Sequence, residues 1–181
     1  VDAMATRPSG FRPRLSRPAA MTSTCSLACP QVRLAQPLPS IVNATLDELV
    51  IEGQSNTITA LGGGRILDIQ SVKQLTVRNL WLTGGSVTSE VNGIEYWGGG
   101  LRLYCGEGQQ CAATLTNVSL INNQAVEGGG FALYCAADTT CSAKLIDSLL
   151  YANQATAGGA ITTGFDEENI AFSIELLRTT V

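Results

Sequence analysis

The chain has 181 residues, room for one domain with a tail, and carries 15 acidic against 11 basic side chains with no histidine. Without imidazole there is no Ser-His-Asp triad, no Cys-His nucleophile and no zinc site with His ligands. A net charge of −4 argues against a nucleic-acid partner or an anionic membrane surface, and no run approaches the apolar length of a membrane span.

Residues 1–40 differ from the rest. All six prolines fall there, and five Arg stand against Asp2 alone; beyond residue 40 there are 6 basic and 14 acidic residues and 18 of the 19 glycines. This predicts a Pro/Arg/Ser-rich, non-globular leader or tail over 1–40 and a folded body over 41–181. The leader has the composition of an organellar transit peptide or of a disordered tail, and lacks the apolar core of a secretory signal. Cys25 and Cys29 within it are spaced to pair with each other.

The body repeats itself. "LTVRNLWLTGG" (Leu75 to Gly85), "ATLTNVSLINN" (Ala113 to Asn123) and "AKLIDSLLYAN" (Ala143 to Asn153) align without a gap, and "LVIEGQSNTITALGGGRILDIQ" (Leu49 to Gln70) contains an earlier turn. Each alternates with period two, which predicts strands with every second residue inward. Alternation breaks at Asn79, Asn117 and Asp147, residue types that tolerate left-handed backbone, which predicts a bend there and a ladder of side chains along it. Glycines at Gly98, Gly128 and Gly158 open a second strand, setting Leu101, Phe131 and Ile161 in one column and Leu103, Leu133 and Thr163 in the next.

Such a turn cannot bury its apolar face alone and must stack on its neighbours, with strands ~4.8 Å apart. The expected fold is all-β, a parallel β-helix of about four to five coils of roughly 30 residues. Proline, which would delete a ladder donor, is absent after Pro39. A short solenoid exposes core and strand edges at both ends, which implies further chain or a protein partner covering them.

At "LTNVSLINNQAVEGGGF" and "IDSLLYANQATAGGAI" the chain resembles the repeats of polymorphic outer-membrane proteins and related right-handed β-helix surface proteins. The matching residues are Gly158, Gly159, Ala160 and Ile161, with Asn123 and Asn153 ending strands. The resemblance spans roughly residues 45 to 165. It implies a right-handed coil and an extracellular, adhesive or structural role, with no shared catalytic residues. The chain departs from the group in its Cys-bounded loops and in an insertion around "SVTSEVNGIEYW".

Cys105 and Cys111, then Cys135 and Cys141, form C-x5-C twice at a 30-residue interval. Disulfides within each coil are the first reading and fit an oxidising compartment. Bonds crossed between coils, an all-thiolate zinc site and free thiols are the others. No cofactor is implied.

The same fold hosts polysaccharide lyases and hydrolases, which gather carboxylates on one outward face. The outward positions Thr76/Thr114/Lys144 and Arg78/Thr116/Ile146 form no acidic column, while Glu95, Glu127 and Asp138 lie near the glycine corner or in loops. Asp166 to Glu168 reads as a solvated loop. Aromatic residues at outward positions, namely Trp81, Tyr96, Trp97, Tyr104, Tyr134 and Tyr151, suit either a glycan- or protein-binding strip or packing beneath a loop. Two sequons, "NAT" at Asn43 and "NVS" at Asn117, permit glycosylation; Asn117 falls in the bend column, which leaves Asn43 as the candidate.

Overall fold

The computed structural model describes residues 31–88, 96–165 and 170–181, and the alternating runs are strands in it. In chain order these are β1 (Gln31–Leu34), β2 (Ile41–Val42), β3 (Glu48–Ala60), β4 (Leu67–Gln70), β5 (Gln74–Thr83), β6 (Ser86–Val87) and β7 (Leu101–Cys105). They continue with β8 (Gln110–Ile121), β9 (Gln124–Ala125), β10 (Phe131–Cys135), β11 (Thr140–Ile146), β12 (Leu149–Tyr151), β13 (Ile161–Phe165) and β14 (Ala171–Leu177).

All strands pair in parallel with the strand one coil away. A long-strand sheet runs β1-β3-β5-β8-β11-β14, with β12 also on β8; a short-strand sheet runs β13-β10-β7-β4-β2; β6 and β9 make a third, small ladder. The chain is thus a parallel β-solenoid of about five turns. β1 pairs with β3 from Gln31↔Thr57 to Leu34↔Ala60, so the stacked body includes residues on the leader side of the compositional boundary at residue 40.

Register follows the sequence columns. Leu101, Phe131 and Ile161 are aligned partners, as are Leu103, Leu133 and Thr163. In the long-strand sheet Leu75, Ala113 and Ala143 stack, then Val77, Leu115 and Leu145. These side chains fill the space between the sheets: Leu101, Leu103, Leu115, Phe131, Leu133 and Leu145 have no exposed surface. Burying each large apolar side chain contributes ~1.5–3 kcal/mol.

The predicted bend is real. Asn79, Asn117 and Asp147 have φ of 53°, 53° and 50°, the left-handed region that Asn and Asp tolerate best. Their side chains stack with their rungs: Asn117 Nδ2 donates to Asn79 Oδ1 at 2.8 Å, and Asn79 Nδ2 donates to Glu52 Oε1 at 2.9 Å. Asp147 cannot donate and leaves the amide ladder, pairing instead with Arg178 of the last rung. A second ladder, buried at Asn123 and half-buried at Asn153, closes the turn. Asn123 Nδ2 donates to Leu82 O at 3.1 Å and Asn153 Nδ2 to Leu120 O at 2.8 Å, each supporting the rung before it.

Candidate functional site

Both cysteine pairs close within a rung. Cys105 bonds Cys111 and Cys135 bonds Cys141, with Cα–Cα separations of 5.9 and 6.3 Å. Cys105 is aligned with Cys135, and Cys111 with Cys141, so the two links lie one above the other. All four are inward and buried, part of the core rather than of the loops they bound. Such pairing suits an oxidising compartment. Cys25 and Cys29 lie outside the described residues. Among the described residues no group of three or more His, Cys, Asp or Glu is placed to hold a metal ion.

The outward face of the short-strand sheet carries two columns, Asp68/Arg102/Ala132/Thr162 and Gln70/Tyr104/Tyr134/Gly164. Outward side chains would ordinarily be wet, but Arg102 is 3 % exposed and Tyr134 4 %. What covers part of this face is the end of the insertion. Trp97 sets its ring edge-on to Tyr134 with centroids 5.1 Å apart, and Tyr134 stacks on Tyr104 at 5.4 Å. Tyr96 and Tyr104 are half-buried beside them. The indole lies where a side chain on Gly164 would be, which is why that position is glycine.

Arg65 holds this covering segment. Its guanidinium donates to the carbonyls of Trp97, at 2.6 and 2.8 Å, and Gly98, at 3.0 Å, and lies 3.5 Å from Asp68. Asp68 is the hub. Arg102 donates to both its carboxylate oxygens at 2.8 and 3.0 Å, Ser40 at 2.5 Å and Gln70 at 3.0 Å. Burial pushes the Asp68 carboxyl up, but the hydrogen bonds from Arg102 and Ser40 and the charges of Arg65 and Arg102 outweigh it and hold the group below the ordinary Asp range. A carboxylate so ionised and so fully hydrogen-bonded is a poor proton shuttle. It joins the segment at Ser40, two rungs and the insertion in one network.

A cleft of about 260 Å³ opens beside the network, lined by Pro37, Leu38, Ser40, Arg65, Asp68 and Gln70. Its polar groups are already satisfied by one another. Of the acids considered above, Glu127 forms a bridge partner to Trp97 and Ala157, and Asp138 sits at φ 55° on an exposed loop. They are not neighbours in any column. Glu95 and the 166–168 acids lie outside the described residues.

The aromatic positions therefore divide. Trp97, in the covering segment, packs on Tyr134 beneath it, whereas Trp81, 48 % exposed, and Tyr151, 64 % exposed, stand on the outer face of the long-strand sheet after the bend. The two tryptophans of the sequence are thus opposites. With Trp81→Phe, the remaining Trp97 emission is expected to be blue-shifted and weakly quenched by acrylamide; with Trp97→Phe, the remaining Trp81 emission is red-shifted and readily quenched. Equal quenching of the two variants contradicts the placement.

The Asp68–Arg102 pair was open to sequence reasoning: once "LDIQ" (Leu67 to Gln70) is aligned with "LRLY" (Leu101 to Tyr104), opposite charges fall in register. No protein-family model, curated protein or solved structure matches the chain. The resemblance to polymorphic outer-membrane proteins rests on the repeat motifs alone, and what the structure adds is a parallel β-solenoid with cysteine pairs at bonding distance.

Proposed function

We propose that this chain is a non-catalytic structural or adhesive module of an extracellular or cell-surface protein, a solenoid whose end rungs are covered by a protein partner or a neighbouring domain. The observation that carries the proposal is the way its interior columns run out into solvent. Phe165 is 56 % exposed while its partner one rung in, Cys135, is 1 % exposed; Phe172 is 49 % exposed over Cys141 at 1 %; Leu176 is 44 % exposed over Leu145 at 0 %. At the other end Val32 is 45 % and Ile41 38 % exposed on terminal strands of their sheets.

Bare core and open strand edges invite another layer, and natural solenoids cover them. The cysteine pairs support an oxidising location, and the motif resemblance supports a surface role. Among the described residues no helix is long and apolar enough to cross a membrane.

A second reading, a carbohydrate-binding or polysaccharide-cleaving domain on the same fold, draws on the exposed rings of Trp81 and Tyr151. A glycan array combined with a polysaccharide cleavage screen separates the two. The structural reading expects no turnover on any polymer; cleavage of a uronate polymer that is lost in Glu95→Gln or Glu127→Gln overturns it.

A further inference from the structure

Of the two sequons, Asn43 and Asn117, the fold treats only one as a free acceptor. Asn43 follows β2, the outermost strand of the short-strand sheet, and its backbone N–H still donates to Gln70 O at 3.2 Å. The chain then turns back, with Leu46 N donating to Asn43 O at 3.2 Å. Within that turn the third sequon residue reaches the first: Thr45 N donates to Asn43 Oδ1 at 3.0 Å and Thr45 Oγ1 donates to the same oxygen at 2.9 Å. The carboxamide oxygen is engaged and the amide nitrogen is not: among the described residues Nδ2 has no hydrogen-bond partner. Asn43, Ala44 and Thr45 are all exposed.

Asn117 is the reverse case. Its Nδ2 is spent on Asn79 at 2.8 Å, its backbone is held at φ 53°, and its strand β8 is paired on both sides, by β5 and by β11 and β12. Its side chain is exposed, but presenting it to a transferase means giving up the amide ladder and bending a backbone paired on both sides.

We propose that Asn43 is an N-glycan acceptor and Asn117 is not, and that the glycan blunts one end of the solenoid. The inference rests on the extracellular placement proposed above. In the transfer, Nδ2 of Asn43 forms a bond to the anomeric carbon of an oligosaccharide carried on a lipid pyrophosphate. The anomeric C–O bond breaks, its electron pair leaves with the pyrophosphate, and one amide proton passes to the transferase's base. A glycan is bulky, and at the end of β2 it covers the edge onto which an added strand would pair, as a loop or helix covers other sheet edges. The exposed columns of β13 and β14 then remain the open end for a partner.

The full chain is translated into endoplasmic-reticulum microsomes behind a cleavable signal sequence, with protease protection reporting translocation independently of the chain's natural location. Protected wild-type chain is expected to carry one glycan, released by endoglycosidase. It is expected to vanish in Asn43→Gln and Thr45→Ala and to persist in Thr45→Ser and Asn117→Gln. Protected chain that is unmodified at Asn43, or that carries a glycan on Asn117, overturns the proposal. Because the signal sequence imposes entry, failure at Asn43 leaves the structural reading standing, whereas polymer cleavage in the screen above removes that reading without touching the glycan.

Discussion

Gly129→Ala is expected to destabilise the chain by about 3 kcal/mol or more, the upper end of what overpacking a core costs. Gly129 lies in the triple-glycine corner, where successive rungs approach backbone to backbone. A methyl group there would stand 2.6 Å from Gly159 O and closer still to Gln154 O, and neither is the end of a flexible side chain that could move aside. The comparison that isolates the cause is Gly108→Ala. Gly108 has φ 68°, an unfavourable conformation for alanine, but nothing lies within 4 Å of the added carbon. That substitution is expected to cost about 1–2 kcal/mol, from backbone conformation alone. Urea unfolding of both variants with an unchanged m-value reads the difference as a shift in midpoint. Equal midpoints would mean that the rungs are not as close at the corner as described.

The second large effect concerns Arg102. Arg102→Met leaves the buried Asp68 without its bidentate partner, and breaking a buried ion pair from one side costs about 3–5 kcal/mol. Ser40, Gln70 and Arg65 still face the carboxylate, which places the expectation toward the lower bound. Adding Asp68→Asn is expected to recover part of the loss, because no uncompensated charge then remains. The pH dependence has a defined sign. The folded pKa of Asp68 lies below its unfolded value of about 3.9, so the ionised carboxylate's contribution is fully present above that value. It is lost as the pH falls through the lower folded value. Wild-type stability is therefore expected to fall more steeply in acid than that of Asp68→Asn, with parallel curves near neutrality. A steeper acid limb in Asp68→Asn contradicts the assignment.

These effects lie at positions of different legibility. The corner and the bend were readable because stacking forces the sequence to repeat: Leu101, Phe131 and Ile161 share a column for the same reason that Asn79, Asn117 and Asp147 share one. The cysteine pairing was only partly readable: the C-x5-C spacing made bonds along a rung the first reading, but aligned units left bonds across rungs open. Rotation of the side chains into the core, where Cys105 and Cys111 face each other, decides it.

Alternation marks which side of a strand a residue takes, but not what covers that side. Hence Tyr134 was legible as outward, while a binding strip and packing beneath a loop stayed open for it and for Trp97 of the insertion; the clue to packing was small partners, Ala132 and Gly164, in the columns under the indole. The boundary at residue 40 misplaced β1 for a similar reason. Pro37 and Pro39 follow that strand, so these two prolines mark the corner after it.

Sedimentation velocity of the 181-residue chain with an exposed-surface dye in the cell reads whether the solenoid's interior columns end uncovered. The expected result is self-association or strong dye binding by the wild-type chain, diminished in the double variant Phe172→Glu, Leu176→Glu. A monodisperse wild-type monomer that binds no dye would contradict it.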